Sequence, residues 1–181
     1  MLFRSGICGS GLIDLLAELR RSGRMSPKGP FSDQSYELTV VPAAGITFSR
    51  ADASALAQAK AANTVGQRAL LRHMGVDPGD VDRLYLAGGF ANYVDVRNAV
   101  EIGFLAPVPP ERIVKAGNAA LEGARELLLS GSARGRLESL VRRIEHVELE
   151  QVPDFFELFV DGCQLIPIPS DLGDPGTRVA V

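Results

Sequence analysis

The sequence predicts an α/β fold, a mixed sheet with flanking helices, and three observations carry that prediction. Short apolar runs alternate with helical patterns along most of the chain, as they do in βαβ units, so part of the sheet is expected to be parallel. The run Leu84-Tyr85-Leu86-Ala87 breaks at Gly88-Gly89 and continues into a helical pattern through Phe90, Ala91 and Asn92. Further on, Val114-Lys115-Ala116 breaks at Gly117 and continues through Asn118, Ala119 and Ala120 in the same manner. A glycine at the carboxyl end of a strand has no Cβ to hold a ligand away from the backbone amides. That is the end of the sheet at which α/β proteins bind nucleotides.

Taken in order, Gly9-Ser10-Gly11 opens a helix in which Leu12, Leu15, Leu16 and Leu19 recur at helical spacing, and it closes near Gly23. Ser26-Pro27-Lys28-Gly29-Pro30 is loop. Tyr36, Leu38 and Val40 alternate, so residues 36–41 read as a strand ended by Pro42, with 46–48 pairing beside it. Ser49 and Asp52 form a Ser-x-x-Asp start signal for the longest helix, which runs to Met74 and stops at Gly75. Asp77-Pro78-Gly79-Asp80 is a turn and 83–87 a buried strand. A helix over 95–102, a proline-rich link at 107–110, a strand over 112–115 and helices over 118–130 and 132–143 follow. Val147 and Leu149 alternate with Glu148 and Glu150 like an edge strand, and 153–160 is a helix carrying Phe155, Phe156 and Phe159. One domain over 1–168 is expected, with a disordered Pro-, Gly- and Asp-rich tail over 169–181.

Composition narrows the classes of function. The 181 residues suffice for one domain with a real core. Aromatics at 6% and a net charge of -3 give neither stacking material nor a basic footprint, which excludes nucleic acid as a partner. No apolar run reaches the roughly 20 residues of a membrane helix, so no membrane role is expected. Residues 1–5 lack the apolar centre of a secretory signal. Two cysteines, Cys8 and Cys163, make neither a disulfide framework nor a metal spacing, and a reduced, cytoplasmic setting is expected.

Several residue groups are candidates for chemistry, each with a plainer alternative. Gly6-Ile7-Cys8-Gly9-Ser10-Gly11 has the spacing G-x-x-G-x-G, which is not the dinucleotide fingerprint. It serves either phosphate contact at a helix start or a tight turn that lets the helix pack closely. Cys8 reads as a small buried residue of that turn rather than a nucleophile, since no histidine lies near it in sequence. Lys60, Asn63, Thr64 and Gln67 share one face of the long helix, lining a ligand cleft or facing solvent. Gly66, unfavourable inside a helix, implies a close neighbour. Gly88 and Gly89 invite close backbone approach, the alternative being a loop that ends a strand, and Gly117 repeats the pattern with Asn118 as an N-cap. His73 and His146 have no spacing partners, and Asp14 is expected to complement the helix dipole in the first turn.

Set in order, Gly6 to Asp14, the alanine-rich helix with Gln58 and Lys60, Leu86 to Asn92 with Asp95, Gly117 to Ala124, and Phe155 to Phe159 through Pro167 resemble a known domain. It is the C-terminal domain of the reductive activators of corrinoid proteins, and the resemblance spans roughly residues 5–168. Those activators belong to the acetate and sugar kinase, Hsp70 and actin superfamily. The resemblance implies a ribonuclease-H-like subdomain, the second half of an ATPase fold with ATP and Mg between its halves. Gly88 and Gly89, with Asn92 beside them, match the adenosine motif, and Gly117 with Asn118 match the second connecting motif. Lys60 and Gln67 fall where the superfamily approaches ribose and base, with Gly9, Ser10 and Gly11 shaping the cleft floor.

In the whole family protein, the resemblance implies a [2Fe-2S] domain, absent from this chain, and an ATP-assisted electron transfer. The transfer returns Co(II) of a methyltransferase system's corrinoid protein to Co(I). The chain is expected to be the second subdomain only, binding without catalysing, and to form a homodimer through the apolar face left uncovered. Two rivals stand beside this reading, a fragment of a small-molecule kinase of the same superfamily and a docking or dimerisation module without catalysis.

Overall fold

The structure, a computed structural model, describes residues 6–170; the tail expected over 169–181 lies outside the described residues from 171 onward. Helix α1 (Gly9–Arg21) buries Ile13, Leu16, Ala17 and Leu19 on one face, so its leucine spacing seats it on the core. Strands β1 (Glu37–Val41) and β2 (Ile46–Ser49) form an antiparallel pair in which Leu38 faces Phe48. The 25-residue helix α2 (Arg50–Met74) begins with the capping box that Ser49 and Asp52 predict, both reciprocal bonds being made. It ends at Gly75 in the left-handed conformation, φ 64°.

The second half opens with β3 (Leu84–Ala87), then two short helices, α3 (Gly89–Tyr93) and α4 (Val96–Glu101), the latter capped by Asp95. Strand β4 (Ile113–Gly117) lies parallel to β3. Helices α5 (Ala119–Leu129), α6 (Gly131–Val141) and α7 (Phe155–Gly162) complete the chain. Both strand directions expected of the mixed sheet are present, divided among the described residues between two two-stranded sheets.

One core cluster joins the two halves. Leu16, Leu19, Phe31, Phe48, Val94, Ala99, Ile102 and Leu165 are buried together, with Leu38 and Val40 of β1 and Leu86 of β3 resting on them. Phe31 and Phe48 meet edge to face at 6.3 Å between centroids. A smaller cluster of Ala106, Val108 and Ile168 underlies Leu84 and Ile113 of the parallel pair.

Three expectations are corrected. Residues 83–87 are not a buried strand: Leu84 and Leu86 are half-buried, while Tyr85 is 57% exposed, so β3 has one face open to solvent. Residues 147–150 form no strand; Leu149–Gln151 is a single 3-10 turn leading into α7, with no neighbouring strand to supply a ladder. Asp14 lies beyond the first turn of α1 and accepts a bond from Asn98 Nδ2 at 2.8 Å, tying α1 to α4 instead of complementing the dipole.

Candidate functional site

The two glycine turns meet. In the parallel pair Ala87 stands opposite Gly117, and the Gly88 N–H donates to the Gly117 carbonyl at 2.7 Å. Strand pairing thus places both turns at the carboxyl end of the same small sheet, where α3 and α5 depart. Gly88 has φ 94° and Gly117 φ 63°, conformations that side chains rarely adopt, which is why glycine stands at both. A Cβ added at Gly88, Gly89 or Gly117 would meet no atom within 4 Å, so these backbones face open space. Asn118 is the N-cap of α5, its Oδ1 accepting from Leu121 N at 3.1 Å.

The first glycine motif joins them through packing. A Cβ on Gly9 would stand 3.0 Å from the ring of Phe90, so the glycine lets α1 start directly against α3. Ser10 is buried and its hydroxyl lies 3.3 Å from Cys8 Sγ. Cys8 is exposed, not buried as expected, because the chain enters α1 from outside the core. The Ser10 hydroxyl and then the Gly11 amide lower its thiol below the usual value.

The polar stripe of α2 faces inward. Lys60 is 4% and Thr64 3% exposed, so the solvent-facing alternative is corrected. Lys60 Nζ donates to the Gly162 carbonyl at 2.8 Å and to the Gln164 carbonyl at 2.6 Å. Thr64 Oγ1 donates to the Gly103 carbonyl at 2.8 Å, and Asn63 Nδ2 and Gln67 Nε2 to the Phe104 carbonyl at 2.6 and 2.8 Å. Gln67 Oε1 also accepts from Ala106 N at 2.8 Å. The stripe therefore grips the backbone of 103–106 and of 162–164, and burial pushes Lys60 down to about 8 while the nearby Cys163 works the other way. Gly66, expected to mark close approach, has only Leu149 Cδ1 at 3.8 Å; the close approach on α2 is Gly162 against Ala61.

Phe90 and Phe104 stack edge to face at 5.8 Å between centroids. A continuous path results, from Gly9 through Phe90 to Phe104, whose carbonyl is held by Asn63 and Gln67. Lys115, which the sequence singled out only as part of a strand, donates to the Val94 carbonyl at 2.8 Å and the Asn92 carbonyl at 3.2 Å, fixing the end of α3 to β4. Its long stem and charge in an otherwise apolar strand were the signal available. The Asn92 side chain belongs to an exposed residue. His73 pairs with Glu145 at 3.2 Å at the end of α2. Among the described residues no group of three or more His, Cys, Asp or Glu is placed to hold a metal ion, and no helix is long and apolar enough to cross a membrane.

Comparison with known proteins matches residues 3–172 to the family described as the C-terminal domain of RACo, the ASKHA domain. A corrinoid activation enzyme, RamQ, of Eubacterium limosum is 30% identical over 179 residues, covering 86% of this chain and 30% of that protein. The [Co(II) methylated amine-specific corrinoid protein] reductase of Methanosarcina barkeri is 27% identical over 164 residues, covering 88% of this chain and 29% of its own length. A solved reductive activator for a corrinoid, iron-sulfur protein superposes with a TM-score of 0.79 at 32% identity, over 88% of this chain and 28% of its own. The chain thus spans less than a third of the length of the curated relatives it matches.

Proposed function

The chain belongs to the family of RACo C-terminal ASKHA domains, and on that premise we propose that it is the nucleotide-binding portion of an ATP-dependent reductive activator of corrinoid proteins. The observation that carries this reading is the bond between Gly88 N–H and the Gly117 carbonyl, which fuses two side-chain-free turns at the carboxyl end of a parallel pair. Open space before Gly88, Gly89 and Gly117 admits a flat ring or a ribose against bare backbone. Gly88, Gly89 and Gly117 fit adenosine by backbone contact, and Asn118 fixes the second turn by capping α5. Lys60 and Gln67 act one step back: Gln67 holds residues 104 and 106, whose Phe104 supports Phe90 beside the turns, while Lys60 ties the same helix to the carbonyls of Gly162 and Gln164. Gly9 to Gly11 set α1 against α3 and so shape the floor.

When bound in the whole protein, ATP with Mg supplies the free energy for an uphill one-electron transfer from a [2Fe-2S] domain to Co(II), giving Co(I). With two cysteines, this chain has no cluster ligand set of its own, and it is inactive alone. The partner is the corrinoid protein of a methyltransferase system, the setting is cytoplasmic, and the chain self-associates through apolar surface left open.

Titration calorimetry with ATP tests the reading, on this chain and on a version extended to the length of its relatives. Binding by the extended form is expected, and Gly89→Val should weaken it by about tenfold or more. The melting temperature should change little, since a Cβ at Gly89 meets no atom of another part of the fold within 4 Å. Absence of binding by both forms, or full binding by the Gly89→Val variant, overturns it.

A further inference from the structure

Helix α3 is too short to hold its own ends. The five residues Gly89–Tyr93 close little more than one turn, so most of their backbone groups need partners from outside the helix. The N-cap, Gly88, supplies no side-chain bond, and Val94 behind the helix is extended. Strand β4 supplies what is missing at both ends. At the front, the Gly117 carbonyl accepts from Gly88 N–H at 2.7 Å. At the back, Lys115 Nζ donates to the carbonyls of Val94 at 2.8 Å and of Asn92 at 3.2 Å.

The pairing of β4 with β3 makes both bonds reachable. Lys115 stands opposite Leu86, which rests on the main core, so the lysine leaves the core-facing side of the sheet and meets α3 there. Tyr85 and Val114 pair on the opposite, open face. The register then slips by one residue, which sets Gly117 instead of Ala116 opposite Ala87 and brings its carbonyl to Gly88. We propose that Lys115 is a positioning residue for the nucleotide. With Gly117 it clamps both ends of α3 to β4, and so fixes Gly88 and Gly89 in the shape that adenosine meets. Its ammonium bonds at the opposite end of α3 from the two glycines, so it acts through the helix rather than by touching the ligand. Its charge strengthens both bonds to carbonyl oxygen. The inference rests on the nucleotide reading above and names the side chain that keeps the turn in place.

The test is ATP titration calorimetry on the version extended to the length of its relatives, for the native sequence, Lys115→Met and Lys115→Arg, each with a thermal melt by circular dichroism. Lys115→Met keeps an apolar stem and loses the donor. Its affinity should fall about tenfold, because a loosened wall of the site must be ordered again at each binding event. Lys115→Arg still donates to carbonyls and should bind within about threefold of the native form. The three melts should lie close together, since Lys115 is exposed and outside both core clusters. A native form without affinity for ATP overturns the nucleotide reading, and this role with it. A native form that binds, with Lys115→Met binding equally well, overturns the role alone. So does a Lys115→Met protein without a cooperative melt, which makes the lysine a support of the fold at large. A Lys115→Arg protein as weak as Lys115→Met overturns it as well.

Discussion

Lys60 shows how a residue legible as polar in the sequence acquires its meaning from what folds over it. Its helical spacing with Asn63, Thr64 and Gln67 was readable, because the period of a helix fixes which residues share a face. The partners were not readable, since they are backbone carbonyls about a hundred residues distant and carry no sequence mark. Burial lowers Lys60 to about 8 from an ordinary 10.5. Between those values the unfolded chain holds a proton that the folded chain has released, so stability rises with pH across that window. Below it, the cost of burying the charge is present in full, on the order of 3 kcal/mol. Urea denaturation at about pH 7 and about pH 10 should show that rise in the native chain and its loss in Lys60→Met. A rise of equal size in both would assign the effect to another group.

At the scale of elements, local signals decided most of the boundaries. Ser49 with Asp52 and Gly75 frame α2 because a cap needs only residues a few positions apart. Asp95 and Asn118 cap α4 and α5 for the same reason. The failures fell where a strand depends on a neighbour: alternation at 147–150 has no ladder to join, and β3 pairs on one side only. Helix α2 offers a direct measurement. Gly66 has room for a methyl group, with Leu149 Cδ1 at ordinary contact distance, so Gly66→Ala should stabilise by about 0.5–1 kcal/mol through helix propensity. A loss of stability in chemical denaturation would show instead that the glycine is required.

In the molecule as a whole, the segment after α7 closes the core from the far end of the described chain. Leu165 is buried, its N–H donates to the Pro27 carbonyl at 2.7 Å, and its carbonyl accepts from Arg20 Nε at 3.1 Å. Gly103, at φ 73°, passes so close beneath Ile166 that a side chain there would strike the carbonyl. Cutting the chain after Asp161 removes Leu165 and Ile168 and strands Lys60 without its acceptors. The truncated protein should therefore lose its cooperative thermal transition by circular dichroism, and a retained one would show the segment to be dispensable. The sequence by itself determined the α/β class, the order of the helices with strands β1 to β4 though not the absence of a strand at 147–150, and the two glycine turns, because spacing and backbone permissiveness are local properties. Only the tertiary structure decided that the turns bond to each other, that Phe90 and Phe104 link the first glycine motif to the stripe on α2, and that the stripe faces inward. Those outcomes depend on contacts between segments distant in sequence, and such contacts are selected by burial of the whole chain at once rather than by any one stretch of it.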